Sequence, residues 1–303
     1  MRDAMSHGGP DDSGVYLDGE KGLAFGHRRL SIIDLSPAGH QPMQREEITL
    51  VFNGEIYNYG ELRQQLKASG QSFTTDSDTE VIIRAYQQWG TVCFERFRGM
   101  FALAIYDERK GELVLARDHA GIKPLYYFCD GEKLYFASEI RAFRALRNRW
   151  QERADWKVFF LTYGFLPEPV TTIKDVHPLP KGSYKVFNIH TLESSEFNYH
   201  QDVYTGTVTS LDEAAGIIRH ELTRAVQRHL VADAPIGLFL SGGIDSSLLT
   251  LLAQPFKPKD LHTLSLVFND AGFSEHRFQE PEFPVIIFRR QLGDRKHKAG
   301  YGA

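Results

Sequence analysis

Between two apolar stretches the chain carries Ser241-Gly242-Gly243-Ile244-Asp245-Ser246-Ser247. A glycine pair between a strand end and a helix start lets backbone N–H groups close on a ligand, and the helix N-terminus adds partial positive charge, which suits a phosphate. Ser241, Ser246 and Ser247 are neutral donors, and Asp245 can hold a metal or orient a nucleotide. No Gly-Lys-Ser/Thr follows, which excludes a Walker loop. Phe239 stands where a nucleophile elbow needs glycine. An ordinary glycine-rich turn is the alternative; the serines and Asp245 around the pair favour phosphate binding.

A second group is dispersed through the N-terminal half. His27-Arg28-Arg29-Leu30-Ser31-Ile32-Ile33-Asp34 puts a basic group at a strand end, Asn53-Gly54-Glu55 follows another strand, and Asp78 sits at a helix start. A cation, a neutral amide donor and a carboxylate together suit a free amino acid, with Arg for its carboxylate and Asp for its ammonium. From spacing alone, surface salt bridges and helix caps are the stronger account.

The elements that must position these groups differ between the two halves. Leu23–Phe25, Ile48–Phe52, Met100–Tyr106, Glu112–Ala116, Leu125–Cys129 and Leu134–Ala137 read as strands of β-hairpins, with turn formers at 108–111 and 130–133. One helix follows Asn58, which with Glu61 resembles a capping box; another runs from Asp78 to Trp89 and stops at Gly90. This is the texture of an α+β layered domain over 1–146. Residues 147–205, broken by Pro167, Pro169, Pro178 and Pro180, read as a connecting segment. From 206 the pattern changes to a helix capped by Ser210 and Glu213, a short strand Ile236–Leu240, the glycine loop, a helix from Leu248 and a strand His262–Phe268. That order is the unit of a parallel sheet.

The 303 residues carry 35 Lys plus Arg against 39 Asp plus Glu, a net charge of −4, which gives no whole-chain case for nucleic acid or an anionic membrane as partner. Two cysteines, Cys93 and Cys129, exclude a disulfide framework and point to a reducing compartment. No apolar run reaches spanning length and the first residues lack a signal peptide's apolar stretch, so a cytoplasmic protein is expected. The 12 histidines show no metal-binding spacing. The basic stretch in 279–303 reads as a solvated tail.

Several segments resemble the glutamine-dependent asparagine synthetases, which are class II glutamine amidotransferases. They are His7–Gly14, Arg29–Asp34, Gly39–Met43, Asn53–Asn58, Asp78–Glu80, Gly99–Ala102, Ala116–Asp118, Gly121–Tyr127, Ala137–Ile140 and the Ser241–Ser247 loop, in one order from His7 to about Phe278. The resemblance implies an Ntn-hydrolase-type sandwich that hydrolyses glutamine, followed by 206–278 as a partial ATP-pyrophosphatase domain that activates aspartate for amidation. By motif, Arg29 holds the glutamine carboxylate, and Leu30, Ser31, Ile32 and Ile33 line its pocket. Asn53 and Gly54 form the oxyanion hole, and Glu55 and Asp78 bind the amino end. Leu240, Ser241, Gly242, Gly243, Asp245, Ser246, Ser247 and Leu266 contact ATP, with Mg²⁺ on the phosphates. Glutamine, ATP and aspartate are the implied small-molecule partners, and a homodimer is left open.

Three departures stand out. The family's nucleophile is a cysteine at residue 1, whereas Met1 and Arg2 open this sequence, and mid-chain Cys93 and Cys129 cannot replace a residue that uses its own α-amine. Gly8 stands where the family usually has Arg. The similarity fades after Phe273-Ser274-Glu275, before the second glycine-rich nucleotide motif and the aspartate site. The expectation is a piece shortened at both ends and impaired in catalysis, with a glutamine-binding remnant or an amidotransferase for another acceptor as the rival readings.

Overall fold

In the computed structural model, which describes residues 1–146, 150–204, 206–257 and 261–265, the chain divides into Met1–Thr205 and a second unit beginning at Gly206. The first unit contains β1 (Asp12–Asp18), β2 (Leu23–Arg29), β3 (Met43–Arg45), β4 (Ile48–Ile56), α1 (Tyr59–Ala68), α2 (Asp78–Trp89) and α3 (Cys93–Arg96). It continues with β5 (Gly99–Asp107), β6 (Glu112–Arg117), β7 (Tyr126–Cys129), β8 (Leu134–Ala137), α4 (Ile140–Arg144), α5 (Trp156–Tyr163), β9 (His177–Pro178), β10 (Ser183–Asn188) and β11 (Ser194–Asn198).

Six of these strands form an antiparallel sheet in the order β11-β10-β6-β5-β4-β3. The two-residue period of a strand sorts its side chains to opposite faces. Leu50, Phe52 and Ile56 of β4, with Phe101, Leu103 and Ile105 of β5, pack against Leu62 and Leu66 of α1 and Val81, Ile82 and Ala85 of α2. The alternate residues Val51, Ala102, Ala104, Leu113 and Leu115 meet Phe25 and Leu125 on the other face, where Tyr127 and Phe136 also pack. That second layer comprises the β1-β2 pair and the β8-β7-β9 sheet, both antiparallel. Each fully buried Leu, Ile or Phe in these layers contributes about 1.5–3 kcal/mol of apolar burial. The helix–sheet–sheet stack is the α+β sandwich expected from the sequence.

Three local expectations change. The stretch 147–205 is not a separate connection, because β10 pairs with β6 from Tyr184↔Ala116 to Asn188↔Glu112 and thereby extends the main sheet. Its prolines fall outside β10 and β11, so they break no ladder hydrogen bond there. Asn58 precedes α1 but makes no side-chain cap. Its amide instead donates to the Arg96 carbonyl at 3.0 Å and accepts from the Arg98 N–H at 2.8 Å, tying the β4–α1 corner to the start of β5. Finally, β4 has its hairpin partner in the short strand β3, absent from the expected strands, and its other antiparallel neighbour, β5, follows three helices later in the chain.

The second unit holds α6 (Leu211–His229), β12 (Gly237–Phe239), α7 (Ile244–Ala253) and β13 (His262–Leu264). Ser210 caps α6 by accepting from the Glu213 N–H at 3.4 Å, as its sequence pattern predicts. The strands pair in parallel from Gly237↔His262 to Phe239↔Leu264. Val226, Leu230 and Ala253 form the small core beneath them. The second helix starts at Ile244 rather than Leu248, which puts Asp245, Ser246 and Ser247 in its first turn. Leu266, the remainder of 206–278 and the 279–303 tail lie outside the described residues.

Candidate functional site

The outer layer and one edge of β4 enclose a cavity of about 120 Å³ lined by Arg29, Leu30, Ile32, Ile33, Asn53, Gly54, Glu55 and Asp78, among others. Residues up to 49 positions apart in sequence, expected together, are thus in one place. Ser31 is the exception among them: it does not line the cavity, and its N–H donates to the Asp11 carboxylate at 2.8 Å.

Arg29 ends β2 and is buried. Its guanidinium donates to the carbonyls of Ser36 (3.0 Å), Ile33 (3.3 Å) and Asp34, so it braces the loop that supplies one wall. Asp34, at φ 55°, closes that loop by accepting from the Ser36 N–H and hydroxyl. Its second oxygen accepts from the Asp76 N–H at 3.2 Å, which ties this wall to the segment leading into α2.

The opposite wall carries the acids. Ser77 caps α2 by accepting from the Thr79 N–H at 3.1 Å, and this leaves Asp78 as the first helical residue. Asp78 is buried and accepts from the Ile56 N–H at 3.0 Å. Burial, reinforced by the neighbouring Glu55 charge, pushes its carboxyl up to about 7. Two buried carboxylates in one cavity make an environment in which a ligand ammonium is stabilised.

Asn53 and Gly54 lie on β4 opposite Ala102 and Phe101. The Asn53 amide donates to the Ser138 hydroxyl at 3.2 Å. A Cβ at Gly54 would stand 2.0 Å from the Met100 carbonyl oxygen, so only glycine lets the strands close here. A side-chain amide followed by a backbone N–H with no side chain in the way is a donor arrangement suited to a developing oxyanion.

Among the lining residues with no role from sequence reasoning are His27, Gln41 and Lys123. His27 donates from Nε2 to the Phe52 carbonyl at 3.0 Å, and burial pushes its imidazole down to about 4, so it is neutral near pH 7. Gln41 accepts the Phe52 N–H at 2.6 Å and fixes the same strand. Lys123 enters from the turn after β6; its motif Gly121-Ile122-Lys123-Pro124 is visible in the sequence, but its destination is not. Neither cysteine lines the cavity: Cys93 is buried in the helix–sheet core, where burial pushes its thiol up, and Cys129 lies on β7.

In the second unit Leu240 is buried, donates its N–H to the Leu264 carbonyl at 2.8 Å, and so carries the parallel pairing up to the glycine loop. Gly242 takes φ 89°, a conformation that favours glycine. Ser246 and Ser247 donate to the Gly243 carbonyl at 3.1 and 2.9 Å, and the Ser241 and Ser246 hydroxyls lie 3.0 Å apart. The loop is therefore internally braced, with Gly243 as the N-cap of α7 and the helix's first N–H groups beyond it.

The family described as "Glutamine amidotransferase domain" matches residues 1–199, and the one described as "Asparagine synthase" matches 217–281. The chain is 39% identical to Asparagine synthetase [glutamine-hydrolyzing] 1 of Bacillus subtilis over 278 residues, 91% of this chain and 43% of that protein. It is 35% identical to Asparagine synthetase [glutamine-hydrolyzing] 3 of the same organism, over 92% of this chain and 47% of that one. It is also 36% identical to Amidase chry2 of Gibberella zeae, over 81% of this chain and 37% of that one. The chain thus spans less than half the length of each of these three relatives.

Proposed function

This chain belongs to the glutamine amidotransferase domain family, with an asparagine-synthase-like segment behind it, and from that premise we propose that its Asn53 cavity binds L-glutamine as a zwitterion. The observation that carries this reading is the gathering of Arg29, Asn53, Gly54, Glu55 and Asp78 around one small cavity. Asp78 and Glu55 receive the α-ammonium. The Arg29 guanidinium, with Nε and one Nη1 hydrogen left over from its three carbonyl contacts, faces the carboxylate. Leu30, Ile32 and Ile33 cover the methylenes, and Asn53 with the Gly54 N–H receives the oxygen of the side-chain amide when its carbon becomes tetrahedral.

The second unit takes ATP. Leu240 and Ser241–Ser247 cradle the pyrophosphate through backbone N–H groups at the start of α7. Asp245, an exposed carboxylate in that turn, has the hard oxygen donors that share Mg²⁺ with phosphates, so the ion fits this loop. The reaction served is formation of asparagine from aspartate, with ammonia from glutamine and ATP driving activation. Likeness to an amidase as well as to asparagine synthetases supports a second reading, in which the acceptor is another carboxylate.

Calorimetry with each ligand separately tests the assignment. Gly242→Val, strained at φ 89°, is expected to abolish Mg-ATP binding and leave glutamine binding within twofold. Loss of both ligands, or of neither, would contradict it.

A further inference from the structure

We infer that Lys123 is the residue that selects the α-carboxylate of the amino acid in the Asn53 cavity; this rests on the glutamine reading of that cavity. The cavity presents two buried acids, Glu55 and Asp78, and three cationic residues, Arg28, Arg29 and Lys123. Two of the cations are engaged. Arg29 gives three of its five N–H donors to the carbonyls of its own loop, and Arg28 donates to Asp3 at 2.8 Å. Among the described residues, no carboxylate lies within ion-pair distance of the Lys123 ammonium.

The turn that delivers Lys123 is built to hold still. Asp118, with no exposed surface, accepts from the N–H groups of Ala120 (3.1 Å), Ile122 (2.9 Å) and Lys123 (2.9 Å), and also from Phe101 at 3.1 Å. Arg117, also buried, donates to the carbonyls of Lys123 (2.9 Å), Gly121 (2.8 Å) and Leu179 (2.8 Å). Both backbone groups of Lys123 are thus fixed by buried charges of opposite sign. Gly121, at φ 69°, supplies the bend between them. Arg117 also pairs with Glu168 at 2.8 Å, and a buried charge is costly unless it is paired or hydrogen-bonded in this way. What these two buried residues secure is the backbone of one lysine that lines the cavity. An ammonium is a compact point charge with three rotatable donors and so finds a carboxylate without a fixed fork geometry. A zwitterion then meets acids at its ammonium and a second cation, beside Arg29, at its carboxylate.

The test uses the full chain and two ligands, L-glutamine and L-glutamine α-amide, whose α-carboxylate is a neutral carboxamide. Wild type is expected to bind glutamine about tenfold or more tightly than the α-amide, the scale of a charge-assisted contact. Lys123→Met should weaken glutamine about tenfold and change α-amide binding less than about threefold, and so sharply reduce the preference, while Lys123→Arg keeps it. Equal weakening of both ligands, or glutamine binding unchanged in Lys123→Met, overturns the role of Lys123 and leaves the glutamine reading standing. Failure of wild type to bind glutamine overturns that reading and this inference with it.

Discussion

At Asp78 the chain buries a carboxyl beside a second acid, and the result is a group poised near neutrality. Its folded value, about 7, lies above the ordinary 3.8. The associated stability is therefore fully present below about pH 4 and is lost as pH rises through 7. Asp78→Asn keeps an acceptor for the Ile56 N–H and removes the titration, so its melting temperature should stay flat between pH 5 and 8 while that of wild type falls; thermal melts across that range check this. Gly54 is the other residue with no substitute. With a Cβ only 2.0 Å from the Met100 carbonyl oxygen, Gly54→Ala should lose about 1–3 kcal/mol or more in chemical denaturation. The types of both residues were legible in the sequence. Their meeting was legible only through the resemblance, because spacing alone allowed Asp78 to be no more than a helix-start residue.

At the scale of elements, the cavity depends on two loops being clasped rather than on the sheet alone. Asp34 joins the Arg29 loop to Asp76 across 42 positions. Glu80, buried in the first turns of α2, accepts from the N–H and hydroxyl of both Thr74 and Thr75 and from Arg45. These bonds hold the Glu80 carboxyl below its ordinary 4.5, so its stabilisation is present above that pH and is lost as pH falls through the lower, folded value. Glu80→Ala should destabilise by about 1–3 kcal/mol, since it removes the shared acceptor of the Thr74 and Thr75 N–H groups and the ion-pair partner of Arg45. Asp34→Asn tolerates φ 55° and should lower the melting point little while weakening glutamine several-fold. Helices α1 and α2 could be read from their periodicity. The pairing of β10 with β6 and the work of Asn58 could not, because both are settled by partners more than 35 residues away.

For the whole molecule, the second unit is the vulnerable part. Its described sheet has two strands, and Leu211, Ile244 and Phe239 are 89%, 86% and 77% exposed. Open strand edges and uncovered apolar side chains favour association. Light scattering should find the full chain polydisperse and a chain ending at residue 204 monodisperse; the reverse order would count against this division. The central claim, a glutamine zwitterion held by buried acids, has a direct measurement in the calorimetric affinity for L-glutamine at pH 6 and pH 8. An ammonium beside Asp78 favours its ionised form, so affinity should rise with pH across the value of about 7, and Asp78→Asn should bind weakly at both. Absence of binding in wild type, or an affinity that neither pH nor Asp78→Asn alters, would contradict the account.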